Sequence, residues 1–243
     1  MEAISLLIVV AALFIWAERQ FPGRPLPASP GWYVRAILLN IAQLGVVVFA
    51  GYTWNQWLYG TSLLHIGEAL PAPVQGFVCW FVGTFFFYWW HRARHASRWL
   101  WNVLHQIHHS ATRIETLTSF YKHPLEISLN SVLSSTVIFV LLGATIDAAP
   151  WYSLFAAVGE FYYHSNIKTP HWTGYIIQRP EHHSVHHQLG IHHYNYGDIT
   201  LWDRLFGTFK DSDTFVPQCG YLADREQKFI EMLAFRNVNK PTV

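Results

Sequence analysis

HRARHASRWLWNVLHQIHHS, residues 91–110, carries five histidines in two spacings, His91-x3-His95 and His105-x2-His108-His109. A third cluster, His183-x2-His186-His187, follows in RPEHHSVHHQ, residues 179–188. On an α-helix, positions i, i+3 and i+4 share a face about one turn apart. The first pair is therefore expected to point two imidazoles the same way, and each HxxHH cluster three. Neutral imidazole is the commonest protein metal ligand and suits Fe, Zn, Cu and Ni. The three clusters offer eight nitrogen ligands, too many for one tetrahedral or octahedral ion and enough for two. A lone histidine on an apolar face is ordinarily a packed or capping residue. Fifteen in one chain, eight of them in these spacings, argue otherwise. Packed imidazoles repel one another when protonated, and a metal relieves this by binding the neutral form.

Outward from this stretch the chain is apolar. Of its 243 residues 51% are hydrophobic, 17% are aromatic and only 13% are charged, against about 25% charged in an ordinary soluble domain. This is a membrane composition. A net charge of +1 gives no basic surface for nucleic acid. Two cysteines, Cys79 in an apolar run and Cys219 in a polar tail, do not make a disulfide framework. The N-terminal run lacks a basic n-region and a small-residue cleavage site, so it reads as a retained span.

A transmembrane helix needs about 20 mainly apolar residues. Spans are expected over Ala3 to Ala17, Ala36 to Tyr59, Val74 to Trp90 and Ser128 to Ile146, with a shorter piece from Trp151 to His164 that crosses or turns back. Trp32 and Tyr33 of the Pro-rich loop after the first span suit the membrane interface, as do Trp54, Trp57 and Tyr59 at the far end of the second. This layout puts residues 18–35, 91–127 and 165–243 on one side, and all sixteen Lys and Arg fall in those segments. The positive-inside rule makes that side cytoplasmic. Every histidine but His65 lies on or beside it, so a metal site is expected at the cytoplasmic surface, within reach of a lipid chain.

Beyond the three clusters, His123 in YKHPLE and His164 in FYYHSN are further ligand candidates. Glu160 lies four residues before His164 and shares its helical face, either as a carboxylate ligand or, preferably, as a partner holding an imidazole N–H. His182 cannot share a helix face with the adjacent cluster and is expected outside the metal shell; His171, His192 and His193 are weaker candidates. The aromatic residues Phe85, Phe86, Trp89 and Trp90 could form a wall for substrate or simply pack. From Gln178 the chain alternates aromatic anchors and turn residues, as a cap on a membrane-facing core would. Residues 221–236 space Leu222, Phe229 and Leu233 as an amphipathic helix packed on that cap. No HExxH, GxSxG, Walker loop or GxGxxG is prominent. A zinc-dependent lipid hydrolase needs about three ligands and a base, and a metal transporter would place ligands along a path within the spans. These are the competing readings.

HxxxH, HxxHH and a late HxxHH on a multi-span chain resemble the fatty acid hydroxylase/sterol desaturase superfamily of integral membrane di-iron oxygenases. KHPLE, the HSN at His164, Pro180-Glu181 and the tail NYGD…LWDRLFGTF are similar too, so the likeness covers roughly residues 75–215. It implies an all-α, multi-span transmembrane protein with a cytoplasmic histidine-rich cap. Two iron ions are implied as cofactors, O2 as co-substrate, and an external ferredoxin or cytochrome b5-like electron donor. The reaction implied is hydroxylation, or desaturation, of a lipid or sterol-like chain. Carried over by position, the ligands are His91, His95, His105, His108, His109, His183, His186 and His187, with His123 and His164. Glu160 departs from the pattern, standing where related hydroxylases can carry another histidine. Asn195 and Asp198 join Glu160 as candidates for supporting the ligands. Zinc is expected to substitute for iron in purified protein, since imidazole sites prefer it to ferrous iron. The division expected is residues 1–73 (N-terminal helices and interfacial loop), 74–215 (catalytic domain) and 216–243 (tail helix). The location expected is a bacterial inner membrane, or alternatively the endoplasmic reticulum.

Overall fold

The computed structural model describes residues 2–239. Among them the secondary structure is helical, with three isolated β-bridges and no strand, as the all-α expectation required. The helices are α1 (Glu2–Gln20), α2 (Trp32–Tyr52), α3 (Trp54–Leu58), α4 (Ala72–Ala96), α5 (Arg98–Leu100), α6 (Gln106–Ser110), α7 (Pro124–Ser135), α8 (Ala148–His164), α9 (Pro180–His186), α10 (Thr200–Leu205), α11 (Ala223–Glu226) and α12 (Phe229–Leu233). Two π-helical turns interrupt them: Trp101–His105 joins α5 to α6, and Thr136–Leu141 extends α7.

Two helices, Trp32–Tyr52 and Pro124–Leu141, are long and apolar enough to cross a membrane. Large apolar side chains stand exposed along α1 (Ile8, Leu13), α2 (Ile37, Ile41) and α4 (Phe77, Phe81). Exposed apolar side chains in this number mark contact with lipid or a partner. Inside this layer α8 is central, with α4 along one side and α1 on the other, while α2 packs on α7. The α4–α8 contact is close because Gly76 has no side chain. A Cβ there would stand 2.4 Å from Trp151 Cβ and 2.8 Å from Tyr152 N, and small residues are what allow helices to approach so closely in lipid. We expect Gly76→Leu to push the two helices apart and destabilise the fold by about 1–3 kcal/mol or more. Thermal unfolding in detergent checks this, and an unchanged midpoint would contradict the packing described.

Several boundaries differ from the sequence expectation, each for a local reason. The second span breaks at Thr53, whose backbone (φ −124°, ψ −107°) is not helical, so Trp54–Leu58 is a separate turn. The fourth begins early, at Pro124, where the fixed φ of proline suits a first helical position. It ends at Gly143 (φ 64°), and a Cβ there would collide with Leu64 O at 1.9 Å. Trp32 is not at an interface: it is 1% exposed in a core with Ile107, Tyr121 and Met232, and its indole N–H donates to Glu115 at 2.6 Å. The tail is two short helices rather than one, with Phe229 and Leu233 packed on that core and Leu222 exposed. The last residues of the expected tail helix domain, 240–243, lie outside the described residues.

The segment that follows α9 is tied together by Asp203. Its carboxylate accepts from the backbone N–H of Tyr196 and of Gly197, both at 2.8 Å, and from the Thr208 hydroxyl at 2.7 Å. Asn195 takes a left-handed backbone (φ 58°), donates to the carbonyls of His182 and Lys210, and accepts from the Lys210 N–H. Between them these residues fix the carbonyls of Tyr194 and Tyr196, which face the histidines.

Candidate metal centre

The end of α4 carries His91 and His95 past its apolar stretch, the π turn and α6 carry His105, His108 and His109, α8 ends on His164, and α9 carries the last cluster. The structure sorts these into two groups that could each hold a metal ion. His91, His95, His105, His109 and His186 form one; His108, His164, His183 and His187 form the other. Within each group the ligand atoms lie within 4.8 Å of one another. The expectation that each HxxHH cluster points all three rings one way is therefore corrected. Consecutive helical residues differ by about 100°, so His108 turns away from His109, and His186 from His187. Each cluster straddles both groups. The His109 and His187 rings stack across the boundary, centroids 4.4 Å apart at 19°.

The nitrogens suit a metal. In the second group His108 Nε2 and His164 Nε2 are 3.3 Å apart, His164 and His183 3.1 Å, and His183 and His187 3.1 Å. Two nitrogens each about 2.1 Å from one ion stand roughly 3.0 Å apart at a right angle and 3.4 Å at the tetrahedral angle. In the first group the Nε2 atoms of His91, His95, His105, His109 and His186 are buried with no hydrogen-bond partner among the described residues. The other nitrogen is often tied down, which fixes the tautomer and aims Nε2 inward. His91 Nδ1 pairs with Tyr196 O at 2.7 Å, His186 Nδ1 with Tyr194 O at 2.8 Å, and His164 Nδ1 with Glu160 O at 3.0 Å. His108 Nδ1 reaches Tyr121 O at 3.3 Å and His105 Nδ1 the Glu126 carboxylate at 3.0 Å.

Burial first, then the neighbouring imidazoles, holds His109, His183 and His187 well below the ordinary histidine value, and burial brings His186 to about 3. All are neutral at physiological pH, as metal ligands must be. A depressed folded value means that the unfolded chain takes up protons near pH 6.5 while the folded chain does not, so acid favours unfolding. The metal-free protein is expected to hold a constant melting midpoint above pH 7. Below pH 6.5 it should lose stability at about 1.4 kcal/mol per pH unit for each histidine involved. A midpoint flat from pH 7 to pH 5 would contradict this.

His123, expected among the ligands, belongs to neither group. Its Nδ1 accepts from Leu125 N–H as the N-cap of α7, and its Nε2 faces Leu233 O at 3.2 Å. Those contacts leave no nitrogen for a metal. His182 pairs with Asp211 at 2.8 Å, and His192 packs on Trp101 and His109, each at 4.9 Å between centroids, outside both groups. The Glu160 carboxylate meets Lys122 at 2.6 Å and lies 3.4 Å from His164 Nδ1. That is the outer nitrogen, not the one that joins the group. Asp198 accepts from the Tyr163 hydroxyl at 3.0 Å, and burial, with the Glu160 charge, pushes its carboxyl up to about 7.

Glu126 joins the site without belonging to any histidine motif. It is fully buried, bonds Arg94 and supports His105. Its one sequence signal is a carboxylate in the first turn of an apolar helix, in YKHPLE.

A cavity of about 30 Å³ touches both groups through His91, His105, His108, His164 and His183. It shares Phe87, Lys122, Asn130, Glu160 and Asp198 with a larger cavity of about 290 Å³ that extends between α2, α4, α7 and α8. The aromatic wall considered from the sequence is elsewhere. Phe85 and Trp89 pack on Trp202 and Phe206, Phe86 on a buried cluster, and the Trp90 indole donates to Asn130 at 2.7 Å. Phe87, on another face of α4, is the aromatic residue that reaches both cavities.

Known proteins resemble this chain over the same segment. The chain is 28% identical over 145 residues to a very-long-chain aldehyde decarbonylase of rice (Oryza sativa subsp. indica), covering 57% of this chain and 56% of that one. It is 28% identical over 123 residues to sphinganine C4-monooxygenase 2 of Arabidopsis thaliana, covering 49% and 48%. It is 26% identical over 216 residues to alkylglycerol monooxygenase of Xenopus tropicalis, covering 84% and 45%. The chain thus spans about half the length of the curated relatives it matches. No solved structure matches it. The fatty acid hydroxylase family model matches residues 76–208, the segment that carries both histidine groups and the loop that orients them, and the chain belongs to that family.

Proposed function

We propose that this protein is a membrane-bound non-haem di-iron oxygenase that hydroxylates, in preference to desaturating, a C–H bond of a lipid or sterol-like substrate. The observation that carries the reading is the pair of adjoining all-histidine groups at the inner end of a cavity that begins among apolar helices. Bound there, two iron ions would supply O2 activation and C–H oxidation. One would be held by His91, His95, His105, His109 and His186, and the other by His108, His164, His183 and His187. The chain's own part is to hold nine imidazoles neutral and correctly turned, through Glu126, Glu160 and the carbonyls of Tyr121, Tyr194 and Tyr196. Asn195 and Asp203 fix those last two carbonyls, and Asp198 faces the cavity. Electrons would come from a separate ferredoxin or cytochrome b5-like donor. Relatives named as monooxygenases of sphinganine and of alkylglycerols support a lipid substrate.

The same reading takes α1, α2, α4, α7 with its π extension, and α8 as membrane helices, with the basic segments and the histidines at the cytoplasmic face of a bacterial inner membrane. The exposed apolar side chains and the placement of every Lys and Arg support it. At 17 residues α8 is about 25 Å long, slightly short of the roughly 30 Å hydrocarbon core. Its end therefore lies just inside the surface, where His164 joins the site.

The test is untargeted lipid mass spectrometry of cells expressing the wild type beside His108→Ala. A species one oxygen heavier, present only with the wild type, is expected. Loss of two hydrogens instead would mean desaturation. Identical lipids, with donor and iron supplied, would sink the oxygenase reading.

A further inference from the structure

An exposed apolar surface also stands outside the helices read as spans. The short turn His171–Tyr175 and α10 lie side by side. Ile177 and Ile199 form a β-bridge, Thr200 N–H donates to Ile176 O at 3.4 Å, and Arg204 Nη2 donates to Gly174 O at 3.2 Å. On this pair Trp172, Tyr175, Ile176, Leu201 and Leu205 are 45–67% exposed. Leu201 and Leu205, four residues apart, share a face of α10. Residues 171–178, HWTGYIIQ, contain no Asp, Glu, Lys or Arg, and their Trp and Tyr are the residue types that favour a membrane interface.

The packing of α10 identifies what covers this face. The Trp202 indole N–H donates to Thr84 Oγ1 at 2.8 Å, and its ring packs on Phe81 and Phe85 of α4, with centroids 6.4 and 5.1 Å away. Phe206 packs on Trp89 at 4.8 Å. Phe81 and Trp89 themselves stay 42% and 41% exposed, so the apolar outer side of α4 continues into that of α10. Phe81 and Phe85 precede Trp90, where the apolar stretch of α4 ends, by nine and five residues. That is about 14 and 8 Å along the helix. An element packed at this level sits below the surface that Trp90 and His91 mark. Arg204 is exposed, stacks 3.8 Å from the Phe209 ring centroid and has no ion pair among the described residues. A free cation whose stem lies on aromatic rings beside an apolar face suits the phosphates of anionic lipid.

Resting on the reading of α4 as a membrane helix, we propose that α10 and residues 171–177 are seated in the cytoplasmic leaflet of the bilayer. Trp172, Tyr175, Ile176, Leu201 and Leu205 lie in its acyl region, and Arg204 reaches its phosphates. The chain after residue 165 is then not wholly in water. The seat also bears on the histidines. Asp203, on α10 between Leu201 and Leu205, holds the backbone of Tyr196 and Gly197, and the Tyr196 carbonyl meets His91 Nδ1. The leaflet thereby steadies an element that orients His91.

A depth measurement tests this. The full chain carries one nitroxide label, on Ile176→Cys, Leu205→Cys, Ile41→Cys of α2 or Asp213→Cys, in liposomes of phosphatidylcholine and phosphatidylglycerol. Both native thiols are buried, so the unsubstituted protein is the blank. Collisions with oxygen and with a water-soluble nickel chelate, present on both sides, are read by power saturation. The Asp213 side chain is 80% exposed and marks water; Ile41, 60% exposed on α2, marks lipid. Labels at Ile176 and Leu205 should meet the chelate roughly tenfold less often than the Asp213 label and meet oxygen about as often as the Ile41 label. Chelate contact at either site equal to that at Asp213, with Ile41 still shielded, would overturn the proposal and leave the membrane helices standing. A water-exposed label at Ile41 would overturn both. Shielding from oxygen and chelate alike, with spectra broadened by a second label nearby, would mean that another copy of the chain covers this face, and would overturn the lipid seat.

Discussion

Replacing His187 by alanine is expected to abolish metal binding in the four-histidine group and to lower activity by on the order of a thousandfold or more. His187 Nε2 lies 3.1 Å from His183 Nε2, inside the set that also joins His164 and His108. Its ring also stacks on His109, which belongs to the other group. Loss of the side chain removes one of four ligands and the wall between the two groups. Metal content should fall from two ions per chain to one or fewer. The fold should persist, because the remaining imidazoles are held from outside by carbonyls and carboxylates that the substitution does not touch. Metal analysis with a melting curve checks both halves. Two ions retained with full activity would remove His187 from the site.

Glu126→Ala is expected to cost about 3–5 kcal/mol of stability, the usual penalty for leaving one partner of a buried ion pair alone. Arg94 and Glu126 are 4% and 0% exposed, and among the described residues Glu126 is the only carboxylate bonded to Arg94. The same carboxylate accepts from His105 Nδ1, so the substitution also frees the ring of a first-group histidine. Two further variants separate these effects. Glu126→Gln keeps an acceptor for His105 but not the charge that Arg94 needs. The double variant Arg94→Met, Glu126→Leu removes the buried charge altogether and should recover most of the stability while leaving His105 untethered and metal affinity lowered by roughly 10–100-fold. Thermal unfolding and metal titration on the three proteins distinguish them. A Glu126→Ala protein as stable as the wild type would refute the pair as described.

Much of the site was legible in the sequence because helical geometry makes local spacing into spatial proximity. Nine of the ten histidines anticipated from i, i+3 and i+4 spacing, and from the motifs around His164, do converge. What spacing could not settle is how the rings divide. His108 and His109 are neighbours in the chain but 100° apart on the helix, and which of them meets His187 or His186 depends on how α6 and α9 cross. His123 shows the limit from the other side. It precedes a proline that opens a helix, a position where a side chain satisfies backbone N–H groups, and that local demand consumes its nitrogen. Trp32 reads as interfacial by composition, yet Glu115, 83 residues away, supplies a buried acceptor for its indole. Phe85, Phe86, Trp89 and Trp90 share an aromatic run with Phe87, and only tertiary packing decides which of the five faces the cavity. Glu126 illustrates the same point for charge: its partner Arg94 sits on another helix, 32 residues earlier.

If the nine histidines form two metal sites, each group should hold one ion. The most direct measurement is iron content per chain after anaerobic loading with ferrous iron and removal of loosely bound metal. It should be made on the wild type, on His187→Ala for the four-histidine group, and on His95→Ala for the five-histidine group. Two irons per chain are expected in the wild type and one fewer in each variant. A single iron in the wild type, or two that survive both substitutions, would contradict it.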